Sequence, residues 1–273
     1  SRCKYCDFFS TTHLEKQHSY VDALLAEWQN RQHEIKAPIQ TIYIGGGTPS
    51  TLPVEHLRNI VATIDNDLSR LQLRGMNIEI TLEANPGDIT LDKAKAWSDL
   101  GINRLSIGIQ SFDDQLLTII GRRHNAEQAR NAVAIAQAAG FKNISIDLMY
   151  ALPGQTMQQW QYDVAQAIQL GVQHISSYGL IYEDGTVLTT LLEHGVIDAI
   201  DEDLELEMYD YLVDQLTANG FIHYEVSNFA QEGRESKHNS SYWNDIPYLG
   251  MGAGAHSYNG HQRQWNVSNL DSY

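Results

Sequence analysis

The feature that most constrains this chain is a recurring alternation. A short β-branched, apolar run ends in glycine or polar residues, an amphipathic stretch follows, and the next apolar run begins roughly thirty residues later, the length of a strand–helix–strand unit. The apolar runs cover residues 41–45 (TIYIG), 78–84, 104–109, 143–149 and 174–180, and helical stretches cover 54–68, 91–100, 126–139 and 157–170. Gly101, Gly140 and Gly171 stand where each helix should close in a left-handed cap. Alternating strands and helices predict a parallel sheet with helices outside it. Residues 17–35 read as another helix with no strand before it, so the first strand is expected upstream of Ser1. Beyond Leu180, residues 203–218 read as a helix and 221–229 as one strand, while 231–273, rich in Gly, Asn and Tyr, read as an appendix. The expected fold is α/β: a partial (β/α)6 TIM-like barrel over 1–200, then an extension over 201–273 that is cut short at its end.

The formal net charge of −16 repels polyphosphate, which argues against a broad nucleic-acid-binding face. No apolar run approaches the ~18 residues of a membrane span, so no membrane anchor is expected. The two cysteines, Cys3 and Cys6, are not the framework of a small secreted domain; they fit ligands or a redox pair in a reducing cytoplasm. Alone, Cys3-Lys4-Tyr5-Cys6 fits half a zinc site, a thioredoxin-like pair, two ligands of an iron–sulfur cluster, or buried thiols. Gly45-Gly46-Gly47-Thr48-Pro49 directly follows a strand, where glycines let a ligand approach the backbone and Pro49 stiffens the exit; a flexible turn is the plainer alternative. In parallel α/β folds the carboxyl ends of the strands build the site. Here those ends carry Gly46, Gly47 and Thr48, then Glu83 and Asn85, Gln110 and Ser111, Asp147 and Tyr150, and Tyr178.

Together, the stretches CKYCDF, YIGGGTPS, LEANPG, GINRLSIGIQSFDD, GRRH, ISIDLMYALPGQT, YEVSNFA, HNSSYW and YLGMGAGAHSY resemble the radical S-adenosylmethionine (SAM) superfamily. Within it they resemble the oxygen-independent coproporphyrinogen III oxidase-like family over nearly the whole chain. The resemblance implies a [4Fe–4S] cluster held by C-x3-C-x2-C, whose last two cysteines match Cys3 and Cys6 and whose first is expected just before Ser1. Three thiolates leave one iron open for SAM, and an electron from the cluster cleaves the sulfonium to a 5′-deoxyadenosyl radical. Position by position, Tyr5 matches the aromatic near the adenine, and Gly46, Gly47 and Thr48 the segment at the methionyl amino group. Glu83 and Arg122 match the groups that meet the methionyl ammonium and carboxylate, and Gln110 and Asp147 the ribose contacts.

The oxidases of this family resemble C-x3-C-x2-C-x-C, and here the fourth cysteine position is Phe8. The C-D-F-x-S pattern and His238-Asn239-Ser240-Ser241-Tyr242-Trp243 resemble instead the heme-chaperone branch, in which H-N-x-x-Y-W is implicated in heme binding. The resemblance then implies His238 as an iron ligand with Tyr242 and Trp243 as an apolar wall, the alternative being a histidine that packs the appendix. The expected partners are heme or porphyrin, heme-accepting apoproteins and a reductant such as flavodoxin or ferredoxin. Oxidative decarboxylation of coproporphyrinogen III to protoporphyrinogen IX is the second reading, and a tRNA-modifying enzyme a more distant one.

Overall fold

The computed structural model describes residues 3–7 and 14–273. Phe8, the position that separates the oxidase and chaperone patterns, lies outside the described residues. Helix α1 (Gln17–Arg31) leads through a 3-10 turn into β1 (Ile39–Ile44), then α2 (Val54–Arg70), β2 (Arg74–Ala84), α3 (Leu91–Asp99) and β3 (Arg104–Gln110). Next come α4 (Asp114–Ile119), α5 (Ala126–Ala138), β4 (Ile144–Tyr150), α6 (Met157–Gln169), β5 (His174–Gly179), α7 (Val187–Glu193) and α8 (Glu202–Ala218). The chain ends in β6 (Ile222–Glu225), β7 (Asn228–Ala230), α9 (Lys237–Trp243), β8 (His256–Tyr258) and β9 (Arg263–Trp265).

Strands β1 to β5 lie side by side in chain order, all parallel. The helices start where the pattern predicts because the start signals are local. Asn125 and Thr156, for example, form capping boxes with Gln128 and Gln159. Gly101, Gly140 and Gly171 take the positive φ angles expected of caps. The single strand expected over 221–229 is instead a hairpin, with β7 antiparallel to β5 and β6 outside it. Glu225 reverses the chain by accepting from the Ser227 amide (3.2 Å) and from the Asn228 side chain.

The sheet separates chemistry by face, as period-two strands must. One face carries Ile42, Ile80, Leu82, Leu105, Ile107, Ile144, Ile146 and Ile175, packed with Trp97, Val133 and Trp160 of the helices in the main core. Fully burying each such side chain contributes about 1.5–3 kcal/mol. Thr41, Tyr43, Thr81, Glu83, Arg104, Ser106, Ser145, Asp147, His174 and Ser176 alternate with them and line the inside of the curl. An inner face this polar does not fill itself as an apolar barrel core would. Most of these polar side chains are buried, so the inside of the curl, the lumen, must satisfy them from one another, from water or from a ligand.

The appendix is held to the barrel by charge. Glu27 of α1 accepts from the Gly252 amide (2.9 Å), Asn266 (2.8 Å) and Tyr273 (2.5 Å), and Arg31 donates to the Gly250 carbonyl (3.1 Å). Helix α9 was hidden from the sequence because seven residues are too few to show a period.

Candidate functional site

The cysteine loop is seated at the strand-end mouth by backbone bonds. The Lys4 amide donates to Ile120 beyond α4 (3.0 Å), the Leu188 amide of α7 donates to the Lys4 carbonyl (2.9 Å), and the Cys6 amide donates to the Cys3 carbonyl (3.3 Å). The last bond sets the two thiols on one turn, and both are free and half-buried. Arg122 Nη1 donates to Cys3 Sγ at 3.3 Å. Tyr5 packs against a cluster that includes Leu116, Ile120 and Leu188, and burial drives its phenol pKa well up. Two thiols one turn apart, one beside a guanidinium, fit two ligands of an iron–sulfur cluster. Among the described residues no group of three or more His, Cys, Asp and Glu side chains could hold a metal ion.

Glu83 joins β2 to the glycine loop. Its carboxylate accepts from the Tyr43 hydroxyl at 2.7 Å and from the Gly46 amide at 3.0 Å. Gly45 has no alternative there, since a Cβ would fall 2.4 Å from the Tyr43 ring and 2.8 Å from Glu83 Oε1. Gly46 and Gly47 both take positive φ and leave open space where their Cβ atoms would be. Burial pushes the Glu83 carboxyl up to about 7; the Tyr43 bond holds it back and the nearby Asp147 carboxylate adds to it.

Asp147, on β4, accepts from Ser106 at 3.2 Å. Burial raises its pKa, while the Ser106 bond and the charges of Arg104 and Arg122 oppose the rise. Arg122 also donates to the Gly108 carbonyl. The β3–β4 register slips between Gly108 and Gln110, and Gln110 adopts φ +74°, which re-aims the strand-end side chain. Hydrogen bonds join Arg122 to Cys3 and Gly46 to Glu83, and Asp147 stands near enough to both for its charge to be felt by Glu83 and the Arg122 charge to be felt by it.

Other strand-end residues serve the scaffold. Asn85 caps the next turn by accepting from the Gly87 amide (3.1 Å), and Ser111 donates to Asp163 of α6 at 2.7 Å. His238 lies on α9 against β1. Its ring stacks on Tyr43, Thr41 meets Nδ1 at 3.0 Å, and Tyr242 meets Nε2 at 3.0 Å. Burial, then the Arg104 charge, lowers its pKa to about 4. Glu79 fixes the start of α9 by accepting from the Lys237 and His238 amides. Trp243 is 68% exposed.

Sequence reasoning missed Tyr43, Glu79 and Arg104. A signal existed: two-residue alternation places Glu79 on the face of Glu83, Arg104 on the face of Gly108 and Tyr43 on the face of Gly45, and an arginine opening an apolar strand is out of place unless that face is polar.

A curled parallel sheet with a cysteine loop, a glycine loop and paired carboxylates at its mouth defines a half-barrel of the radical SAM class. The family model described as the Radical SAM superfamily matches residues 1–166. The chain is 41% identical to the heme chaperone HemW of Lactococcus lactis, covering 99% of this chain and 70% of that protein. It is 39% identical to the heme chaperone HemW of Bacillus subtilis, covering 99% and 71%. Coproporphyrinogen III oxidase (HemN) from Escherichia coli, a radical SAM enzyme, shares the fold at a TM-score of 0.83 and 22% identity, over all of this chain and 65% of that one. The chain thus spans just under two thirds of that oxidase. It belongs to the radical SAM superfamily and, within it, to the family of the HemW relatives. Membership implies SAM and a [4Fe–4S] cluster as cofactors. No helix among the described residues is long and apolar enough to cross a membrane.

Proposed function

We propose that this chain binds heme and passes it to apoproteins, with SAM and a [4Fe–4S] cluster at the strand-end mouth serving assembly or transfer. The observation that carries this reading is the contact between the H-N-S-S-Y-W helix and the mouth. His238 stacks on Tyr43 with ring centroids 4.7 Å apart, and the Tyr43 hydroxyl donates to Glu83. The identity to relatives named heme chaperones, against 22% to the oxidase, supports heme handling over porphyrinogen decarboxylation.

Cys3 and Cys6 supply two cluster thiolates. When bound, the cluster supplies the electron that opens SAM's sulfonium. Tyr5 borders the adenine. Gly46, Gly47 and Thr48 present backbone to the methionyl end, where Glu83 takes the ammonium and Arg122 the carboxylate. Gln110 and Asp147 take the ribose hydroxyls. His238 offers heme iron a neutral imidazole through Nε2 once the Tyr242 hydroxyl yields it, and Tyr242 and the exposed Trp243 wall the macrocycle. The partners are heme-accepting apoproteins and a flavodoxin- or ferredoxin-class reductant, in the cytoplasm.

The test is hemin titration of the cluster-reconstituted protein beside His238→Ala. Loss of the axial-ligand spectrum and weaker affinity in the variant are expected. An unchanged spectrum and affinity would remove His238 from the iron.

A further inference from the structure

The lumen holds a cation that no described side chain neutralises at contact distance. Arg104 opens β3 on the inner face and is 2% exposed. Its Nε has no hydrogen-bond partner among the described residues, and none of their carboxylates pairs with it. Its register partner on β2 is Thr81, whose buried hydroxyl likewise has no partner among the described residues. Buried donors left this way are expensive, and folded proteins meet them with a counter-charge, a ligand or ordered water.

The neighbours are polar but do not neutralise it. Ser145 meets His174 Nδ1 at 2.7 Å, and His174 Nε2 meets the Tyr224 hydroxyl at 2.7 Å. Burial, reinforced by Arg104, keeps the His174 imidazole uncharged, and His238 on the α9 side is held neutral by the same two causes. Glu83 and Asp147 feel the guanidinium, but they are engaged higher in the lumen by Tyr43, Gly46 and Ser106.

Two arginines therefore stand at two levels. Arg122 sits at the mouth, beside Cys3 and on the Gly108 carbonyl. Arg104 precedes Gly108 by four residues, about 13 Å down the strand. By register Tyr43, Thr81 and Arg104 lie at one level across β1, β2 and β3, and His238 stacks on Tyr43. In the reading above Arg122 serves the SAM carboxylate, which leaves the Arg104 guanidinium without that role.

We propose that Arg104 and Thr81 form a carboxylate-binding site in the lumen that takes a propionate of the heme whose iron His238 holds. This rests on the heme reading above and adds to it the group by which the macrocycle is oriented. A guanidinium and a hydroxyl facing each other across adjacent strands offer both carboxylate oxygens a donor.

The experiment compares equilibrium titrations of the reconstituted protein with hemin and with hemin dimethyl ester in the same detergent. The ester should bind the unaltered chain at least about tenfold more weakly, as expected for a lost charge-assisted bond. Arg104→Gln should bring hemin down to the level of the ester. Equal binding of hemin and ester by the unaltered chain overturns the site, and this arm needs no variant that might misfold. A preference for hemin that survives Arg104→Gln also overturns it, as does a variant that loses SAM affinity and keeps that for hemin, which would assign the carboxylate to SAM. Failure of hemin to bind at all overturns the heme reading itself, whereas binding indifferent to esterification sinks only this site.

Discussion

The imidazole of His238 lies stacked on the phenol ring of Tyr43, centroids 4.7 Å apart and planes inclined by 21°. Because the same phenol donates to Glu83, one side chain of β1 touches both the H-N-S-S-Y-W helix and the carboxylate that binds the glycine loop.

Tyr43→Phe keeps the stack and removes the donor. The hydroxyl holds the Glu83 pKa down, so its loss should raise that pKa further and weaken SAM binding at neutral pH by about 1 kcal/mol, roughly fivefold. Calorimetric SAM titration of the reconstituted variant measures this; unchanged affinity would separate Glu83 from SAM.

Glu83 titrates at about 7, and a cationic ammonium favours its ionised form. SAM affinity should therefore rise between pH 6 and 8 and level off above. Glu83→Gln should bind weakly with no rise. A flat profile in the unaltered protein would contradict the ammonium contact.

Asp163, which receives the Ser111 hydroxyl and the Phe112 amide at 2.7 Å each, is pushed by burial up to about 7. Between its ordinary value of 3.8 and about 7 the folded chain keeps a proton that the unfolded chain has released. Stability should fall as pH rises through that window, by at most about 1.4 kcal/mol per pH unit, and be flat above it. His124, lowered to about 4 by burial first and by Arg122 next, acts in the opposite sense: stability is lost as pH falls from 6.5 towards 4. Because the two windows overlap, their slopes should largely cancel between about pH 4 and 6.5 in the unaltered chain; denaturant melts against pH should show Asp163→Asn exposing a rise of stability with pH and His124→Gln exposing a fall.

Gly45→Ala places a methyl into the Tyr43 ring and the Glu83 carboxylate. Overpacking of this kind costs about 1–3 kcal/mol. The thermal midpoint should drop, and SAM affinity should fall with it because the glycine loop is displaced. An unchanged melt would mean the loop yields more easily than its contacts imply.

The amino-acid order alone settled the architecture. Val54, Leu91, Ala126 and Met157 open helices, and Arg104 and His174 open strands, where the pattern places them. Apolar period, caps and glycine stops are local properties, written within a few consecutive residues. That Gly46, Glu83, Gln110 and Asp147 share the mouth was legible from the strand-end rule, whereas Arg122 was legible only through the family motif. Sequence spacing could not separate Glu83 and Asp147, which face the lumen, from Asn85 and Ser111, which serve neighbouring turns. Tertiary structure decided that, and it alone placed His238 against Thr41, 197 residues away. It also turned residues 221–229 into a hairpin and left Arg104 Nε on the polar inner face with no partner among the described residues. The reason is geometric: alternation fixes which residues share a face of one strand, but only the curl and register of the assembled sheet bring side chains of different strands within reach of each other.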